Sequence, residues 1–104
     1  VTSLGEKIMY ARIFQFTIDP AQWDAVERLA DGSQEAMRGA PGFKSVTFYG
    51  DRESGECGSM SIWDTRKNLE AYVAASTPRL SEVAAGLFKG PPQTATAEVY
   101  EPGS

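Results

Sequence analysis

Apolar residues alternate along the chain from Ile8 to Ile18. Ile8, Tyr10, Phe14, Phe16 and Ile18 fall on one face, interrupted by Arg12, and Met9, Ala11 and Ile13 fall on the other. A period of two in aromatic and branched residues predicts a β-strand, and apolar groups on both faces predict that both are covered. Asp19-Pro20 ends the strand and opens a helix. Asp19 suits the N-cap, and Pro20 suits the first helical position, where its missing N–H costs nothing. Gln22 stands where a capping-box partner belongs, and Ile18 with Trp23 forms a hydrophobic staple. Trp23, Val26, Leu29, Ala30, Ser33 and Met37 recur at helical spacing, opposite the solvated side of Asp24, Glu27, Arg28, Asp31, Glu35 and Arg38. Gly32 weakens the middle of this helix, and Pro41-Gly42 stops it near Gly39.

Phe43 to Tyr49 and Cys57 to Trp63 alternate again. The polar run Gly50 to Glu56 between them, turning at Ser54-Gly55, predicts a hairpin. Asp64-Thr65 caps a second helix with Leu69, Tyr72 and Val73 as its apolar stripe. Ser76-Thr77-Pro78 is a fresh start signal, so a break is expected there before Leu80, Val83, Ala84, Leu87 and Phe88 continue the apolar face. Gly90-Pro91-Pro92 ends the helix, Thr94 to Glu101 alternates as a last strand, and Pro102-Gly103-Ser104 is expected to be a loose tail. The order βαββαβ predicts a single α+β domain, ferredoxin-like, with a four-stranded antiparallel sheet and both helices on one face. Its core spans 8–101. The other face still offers Met9, Ala11, Ile13, Val46, Phe48, Met60, Ile62, Ala95, Ala97 and Val99. A sheet that apolar is expected to close against a second copy as a two-fold homodimer.

Composition narrows the chemistry. The 104 residues contain no histidine and one cysteine, Cys57. That excludes Ser-His-Asp and Cys-His nucleophiles, His-ligated haem and nearly every structural zinc site. Ten basic residues stand against fourteen acidic ones, and Arg66-Lys67 is the only adjacent basic pair, so no nucleic-acid partner is expected. Cys57 has no partner for an internal disulfide. No stretch is as long as a membrane span, and Val1 to Lys7 is polar, so the expectation is a cytoplasmic protein without a membrane partner.

Pro41-Gly42-Phe43 entering the second strand, then Trp63-Asp64-Thr65 leaving the third ahead of a helix with Leu69, Ala71 and Tyr72, resembles the antibiotic biosynthesis monooxygenase family. The resemblance spans about residues 8 to 101. It implies a dimeric α+β barrel, and among its members are monooxygenases that oxidise polyketide phenols to quinones without a cofactor. Other members degrade haem with an Asn on the first strand, a Trp ending the third and a His on the next helix. Trp63 matches that Trp, but Asn68 is the only Asn here and the His position falls near Val73, which argues against haem degradation. In the quinone-forming members an Asn stands four residues before the Trp and a Tyr shortly after it. Ser59 takes the first place here, and Tyr72 is the nearest Tyr.

The residues themselves frame a candidate pocket. Cys57, Ser59, Ser61 and Trp63 share one face of the third strand, opposite the large aromatics of the first. Either the small residues leave a cavity capped by the indole, with Ser59, Ser61, Phe14 and Phe16 lining it, or Tyr10, Phe14 and Phe16 fill the space. On the enzymatic reading no cofactor is involved, and the ligand is an apolar or aromatic small molecule. Trp63 forms a wall and orients the ring. Tyr72, Ser59 or Ser61 hydrogen-bonds or deprotonates a phenol, and Arg79, just past the expected helix break, attracts its anion. Two other readings stand beside it: a non-catalytic dimeric binding or structural module, and an isomerase or cyclase of the same fold. Arg12, the one charge inside the first strand, is expected to pair with Glu98 on the last. Cys57 is read as a buried small residue, and Asp51, Glu53 and Glu56 as a solvated turn.

Overall fold

The computed structural model describes residues 8–100. Val1–Lys7, the expected strand end at Glu101 and the tail Pro102–Ser104 lie outside the described residues. The elements follow the expected order: β1 (Tyr10–Thr17), α1 (Trp23–Arg38), β2 (Phe43–Gly50), β3 (Glu56–Trp63), α2 (Arg66–Leu87) and β4 (Gln93–Glu98). The strands form one antiparallel sheet in the spatial order β2-β3-β1-β4, and both helices pack on one face of it. This is the ferredoxin-like α+β arrangement.

Local chemistry explains most boundaries. A short 3₁₀ turn, Pro20–Gln22, precedes α1, with the Asp19 carboxylate accepting a hydrogen bond from the Ala21 N–H at 3.0 Å. The α-helix proper therefore begins at Trp23, which packs against the core cluster that contains Ile18. The Thr65 hydroxyl accepts from the Asn68 N–H at 3.1 Å and starts α2. In the β2–β3 turn, Gly55 has φ +81°, and a Cβ there would strike the Ile18 carbonyl. That carbonyl belongs to the strand end whose N–H donates to Gly55 O at 2.9 Å.

Two expectations fail, each for a physical reason. The helix does not break at Ser76-Thr77-Pro78; α2 runs through Pro78. Pro78 and Ala74, the residue whose carbonyl loses its helical N–H partner, both lie on the exposed side of α2. The hydroxyls of Ser76 and Thr77 add bonds to the Val73 carbonyl, at 3.2 and 2.7 Å. Val46 and Phe48 are also not on the outer face. Phe43 pairs with Trp63, but Ser45 pairs with Ile62, so Lys44 is an extra residue in the ladder. That bulge shifts the alternation by one, bringing Val46 opposite Ser61 and Phe48 opposite Ser59 on the helix side.

The buried core is in two parts. One gathers Ile18, Val26, Cys57 and Leu87, and the other Met37, Trp63, Leu69 and Tyr72. Among the described residues no helix is long and apolar enough to cross a membrane.

Candidate functional site

A cavity of about 210 Å³ lies between sheet and helices, at the seam of the two core clusters. Phe16, Trp23, Val26 and Cys57 border it from one cluster, and Met37 and Tyr72 from the other. Its floor is β3, where Ser59 and Ser61 offer little side-chain volume. The large rings of β1 do not fill the gap, because they pack towards the end of α2. Phe16 stacks on Phe88 with centroids 4.2 Å apart, and Phe14 lies 5.6 Å from Phe16 and 6.0 Å from Phe88. Phe14 and Phe16 thus wall an open space. Its exposed rim includes Glu27, Phe48 and Gly50, beside the edge strand β2.

Polar groups in this apolar chamber are few and convergent. Ser33 from α1, Ser59 and Ser61 from β3, and Tyr72 from α2 all border it and are all buried. Trp63 does not line the cavity. It is 0% exposed, and its indole N–H donates to the Ser61 hydroxyl at 2.9 Å. Its ring lies under Tyr72, centroids 5.0 Å apart and 28° from parallel, with Phe43 edge-on at 5.5 Å. Trp63 therefore holds two cavity groups, Ser61 and Tyr72, without reaching the space itself. Ser61 keeps its own O–H to donate.

The remaining candidates separate. Arg79 is exposed and does not border the cavity; the next residue, Leu80, does. Arg12 does not pair with Glu98 among the described residues. The register sets Glu98 opposite Tyr10 and Arg12 opposite Thr96; Arg12 borders the cavity, its guanidinium 5.3 Å from the Phe14 ring centroid. Burial pushes its pKa below the ordinary guanidinium value, and the nearby Tyr72 acts in the opposite direction. Cys57 is buried with its thiol 3.6 Å from the Gly55 carbonyl, and burial pushes that thiol up. Asp51 folds into the turn, accepting from the Glu53 N–H at 2.9 Å. Sequence reasoning missed Arg12 and Ser33 as cavity residues. Ser33, a small hydroxyl on the apolar stripe of α1, was the one legible signal.

The family model described as antibiotic biosynthesis monooxygenase matches residues 9–78. The chain belongs to the antibiotic biosynthesis monooxygenase family. No curated protein gives a significant match. Among solved structures, the chain is similar to a protein of unknown function, NE2512, from Nitrosomonas europaea, with TM-score 0.79 and 16% identity over 93% of this chain and 94% of that one. It is similar to Rv0793 from Mycobacterium tuberculosis, with TM-score 0.76 and 18% identity over 92% and 99%. A monooxygenase from the gene ActVA-Orf6 of Streptomyces coelicolor, solved in complex with the ligand Nanaomycin D, matches with TM-score 0.70 and 24% identity over 90% and 89%. At these identities the likeness is one of fold.

The two stretches that carry the family resemblance meet in space. The Asp64 N–H donates to the Gly42 carbonyl at 2.8 Å, joining Pro41-Gly42-Phe43 to Trp63-Asp64-Thr65. The Asn68 amide then donates to the Asp64 carboxylate at 2.9 Å. This corner of the family fold sets the end of β3 against the start of β2, and so fixes where Trp63 sits.

Proposed function

We propose that the chain is a cofactor-independent monooxygenase whose substrate is an electron-rich phenolic aromatic held in the cavity between sheet and helices. The observation that carries this reading is the cavity itself: apolar walls of Phe14, Phe16 and Met37, with the hydroxyl-bearing residues Tyr72, Ser59 and Ser61 bordering the same space. The family supports it, and a related fold holds Nanaomycin D. An enclosed apolar space of about 150 Å³ holds benzene; 210 Å³ suits one substituted ring or two fused rings.

In this mechanism the substrate supplies the electrons. The phenolate reduces O₂ in one-electron steps, and the two radicals combine at a ring carbon that still bears hydrogen. Loss of that hydrogen as a proton and cleavage of the O–O bond leave a quinone and one water, so one oxygen atom enters the product. The protein excludes bulk water and orients the ring, and the Tyr72 hydroxyl hydrogen-bonds the substrate oxygen. Trp63 acts as a positioning residue through its stack with Tyr72 and its bond to Ser61. The proposal includes a two-fold homodimer closed through the outer sheet face, where Ile13 and Ile62 are half-buried and Met60 is 42% exposed.

Oxygen uptake with a panel of dihydroxynaphthalenes tests the reading. Turnover is expected to stop without O₂, and Tyr72→Phe is expected to lower it about 10- to 100-fold, the equivalent of one hydrogen bond to a charged group. Far-ultraviolet circular dichroism checks that this variant remains folded. Turnover that continues anaerobically identifies an isomerase or cyclase instead, and absence of both binding and turnover across the panel leaves a structural module.

A further inference from the structure

We propose that Arg12 is the anion anchor of the cavity, and that the ligand is an aromatic carrying one ionised oxygen group, a phenolate or a carboxylate. The inference rests on the cavity being a ligand site, as proposed above, and not on the oxygen chemistry.

Arg12 stands in the middle of β1, between Ser61 on β3 and Thr96 on β4, on the face that the helices cover. It is half-buried and borders a chamber whose other lining, apart from Glu27 at the rim, is apolar or hydroxylic. A guanidinium in such a place needs an anion, because desolvating a charge is costly unless another charge and hydrogen bonds replace the water. The protein does not supply that anion among the described residues. Glu98, two positions along β4 on the same face, is exposed and makes no ion pair with Arg12. Glu27, the one carboxylate bordering the cavity among the described residues, sits at the rim and pairs with Arg52 at 3.5 Å. The Phe14 ring gives Arg12 a cation–π contact over one face of the guanidinium, and neither ion pair among the described residues engages its N–H donors, none of which is sealed from solvent without a partner.

The geometry points to a ligand that completes the set. An oxyanion on the Arg12 donors places the ring it is attached to along Phe14, over the small residues Ser59 and Ser61. Tyr72 borders the same chamber from α2, on the helix side opposite the strand that carries Arg12. The formal charge of the whole chain is −4, so general electrostatics repels anions and any preference for one has to come from a local cation. Arg79, exposed and off the cavity, is not placed to provide it.

Calorimetric titration with two matched pairs of probes tests this without O₂ chemistry: naphthoate against naphthamide, and dinitrophenolate against dinitroanisole. The wild-type protein is expected to bind at least one anion about tenfold or more tightly than its neutral partner. A preference confined to naphthoate assigns the carboxylate class, and one confined to dinitrophenolate the phenolate class. Arg12→Met is expected to abolish the preference while keeping affinity for the neutral probe, and Arg12→Lys to retain part of it. Arg28→Gln, on the exposed side of α1, serves as the control and is expected to keep the ratio. Equal affinity of the wild type for charged and neutral partners, or no binding of either anion at millimolar concentration, overturns the proposal whatever the variants do. So does a preference that survives in Arg12→Met. If oxygen uptake is absent but the anion preference is present, the oxygenase reading fails and the anchor stands.

Discussion

Gly42 is where the family motifs become physical. Its φ of +82° is a conformation that side chains resist, and a Cβ there would collide with the Asp64 carboxylate and the Asn68 amide. Gly42→Ala is therefore expected to destabilise the fold by about 2 kcal/mol or more, measured by urea denaturation. Asp64 carries a second prediction. The hydrogen bond from Asn68, with help from the Thr65 backbone and the Lys44 charge, holds its carboxyl below the ordinary carboxylate value. A carboxyl lowered by folding adds stability that is present above its unfolded pKa of about 3.9 and lost as pH falls through the folded value. The urea midpoint of the wild type should drop over that acid window, and the drop should be smaller in Asp64→Ala. At this scale sequence reading named Tyr72, Ser59 and Ser61, which border the cavity, and Trp63, which lies behind it rather than forming its wall, because large aromatics and small hydroxyls stand out against an alternating strand. It did not find Arg12, because pairing a buried cation with the nearest strand carboxylate ignores how far off Glu98 falls in the actual register.

At the scale of elements, periodicity and caps located six segments in order, since those signals act within a few residues. Two errors came from interactions that span elements. One extra residue at Lys44 turned over β2 from Ser45 onward, so that Val46 and Phe48 joined the helix side. The helix α2 tolerates Pro78 because the proline faces water and the packed sides before and after it are continuous. Two glycines offer a direct test of helix propensity. Gly32 in α1 and Gly86 in α2 both have open space where a Cβ would stand. Each replacement by Ala is expected to raise stability by about 0.5–1 kcal/mol, with additive gains in the double variant because the sites are independent. Urea denaturation of the two single variants and the double variant checks both statements.

At the scale of the whole molecule, the decisive feature is a core split in two with a chamber at the seam. The rings of Phe14, Phe16 and Phe88 gather at one end, and those of Phe43, Trp63 and Tyr72 at the other. The outer sheet face carries the remaining prediction. With Val46 and Phe48 removed from it, the apolar patch is confined to β3, β1 and β4, while β2 contributes Ser45, Thr47 and Tyr49. Tyr49 lies across Gly58, its hydroxyl accepting from the Gln15 amide at 3.1 Å. A homodimer should use the three-strand patch. Sedimentation at micromolar concentration is expected to give about twice the 11.3 kDa chain mass. Met60→Lys, at the exposed centre of the patch, is expected to halve that mass while leaving the circular dichroism of the monomer unchanged.

By itself the sequence determined the order of elements, the sheet with helices on one face, and the short side chains that make room on β3. All of these follow from rules that act over a few neighbouring residues: alternation, capping, turn conformation and side-chain size. Tertiary structure decided whether that room stays open, which residues border it and which cation faces it. Those outcomes depend on the register of β2 and β4 against their neighbours and on which way the aromatic rings pack. A single bulge, or one ring drawn towards Phe88, changes them without leaving a mark in the local pattern.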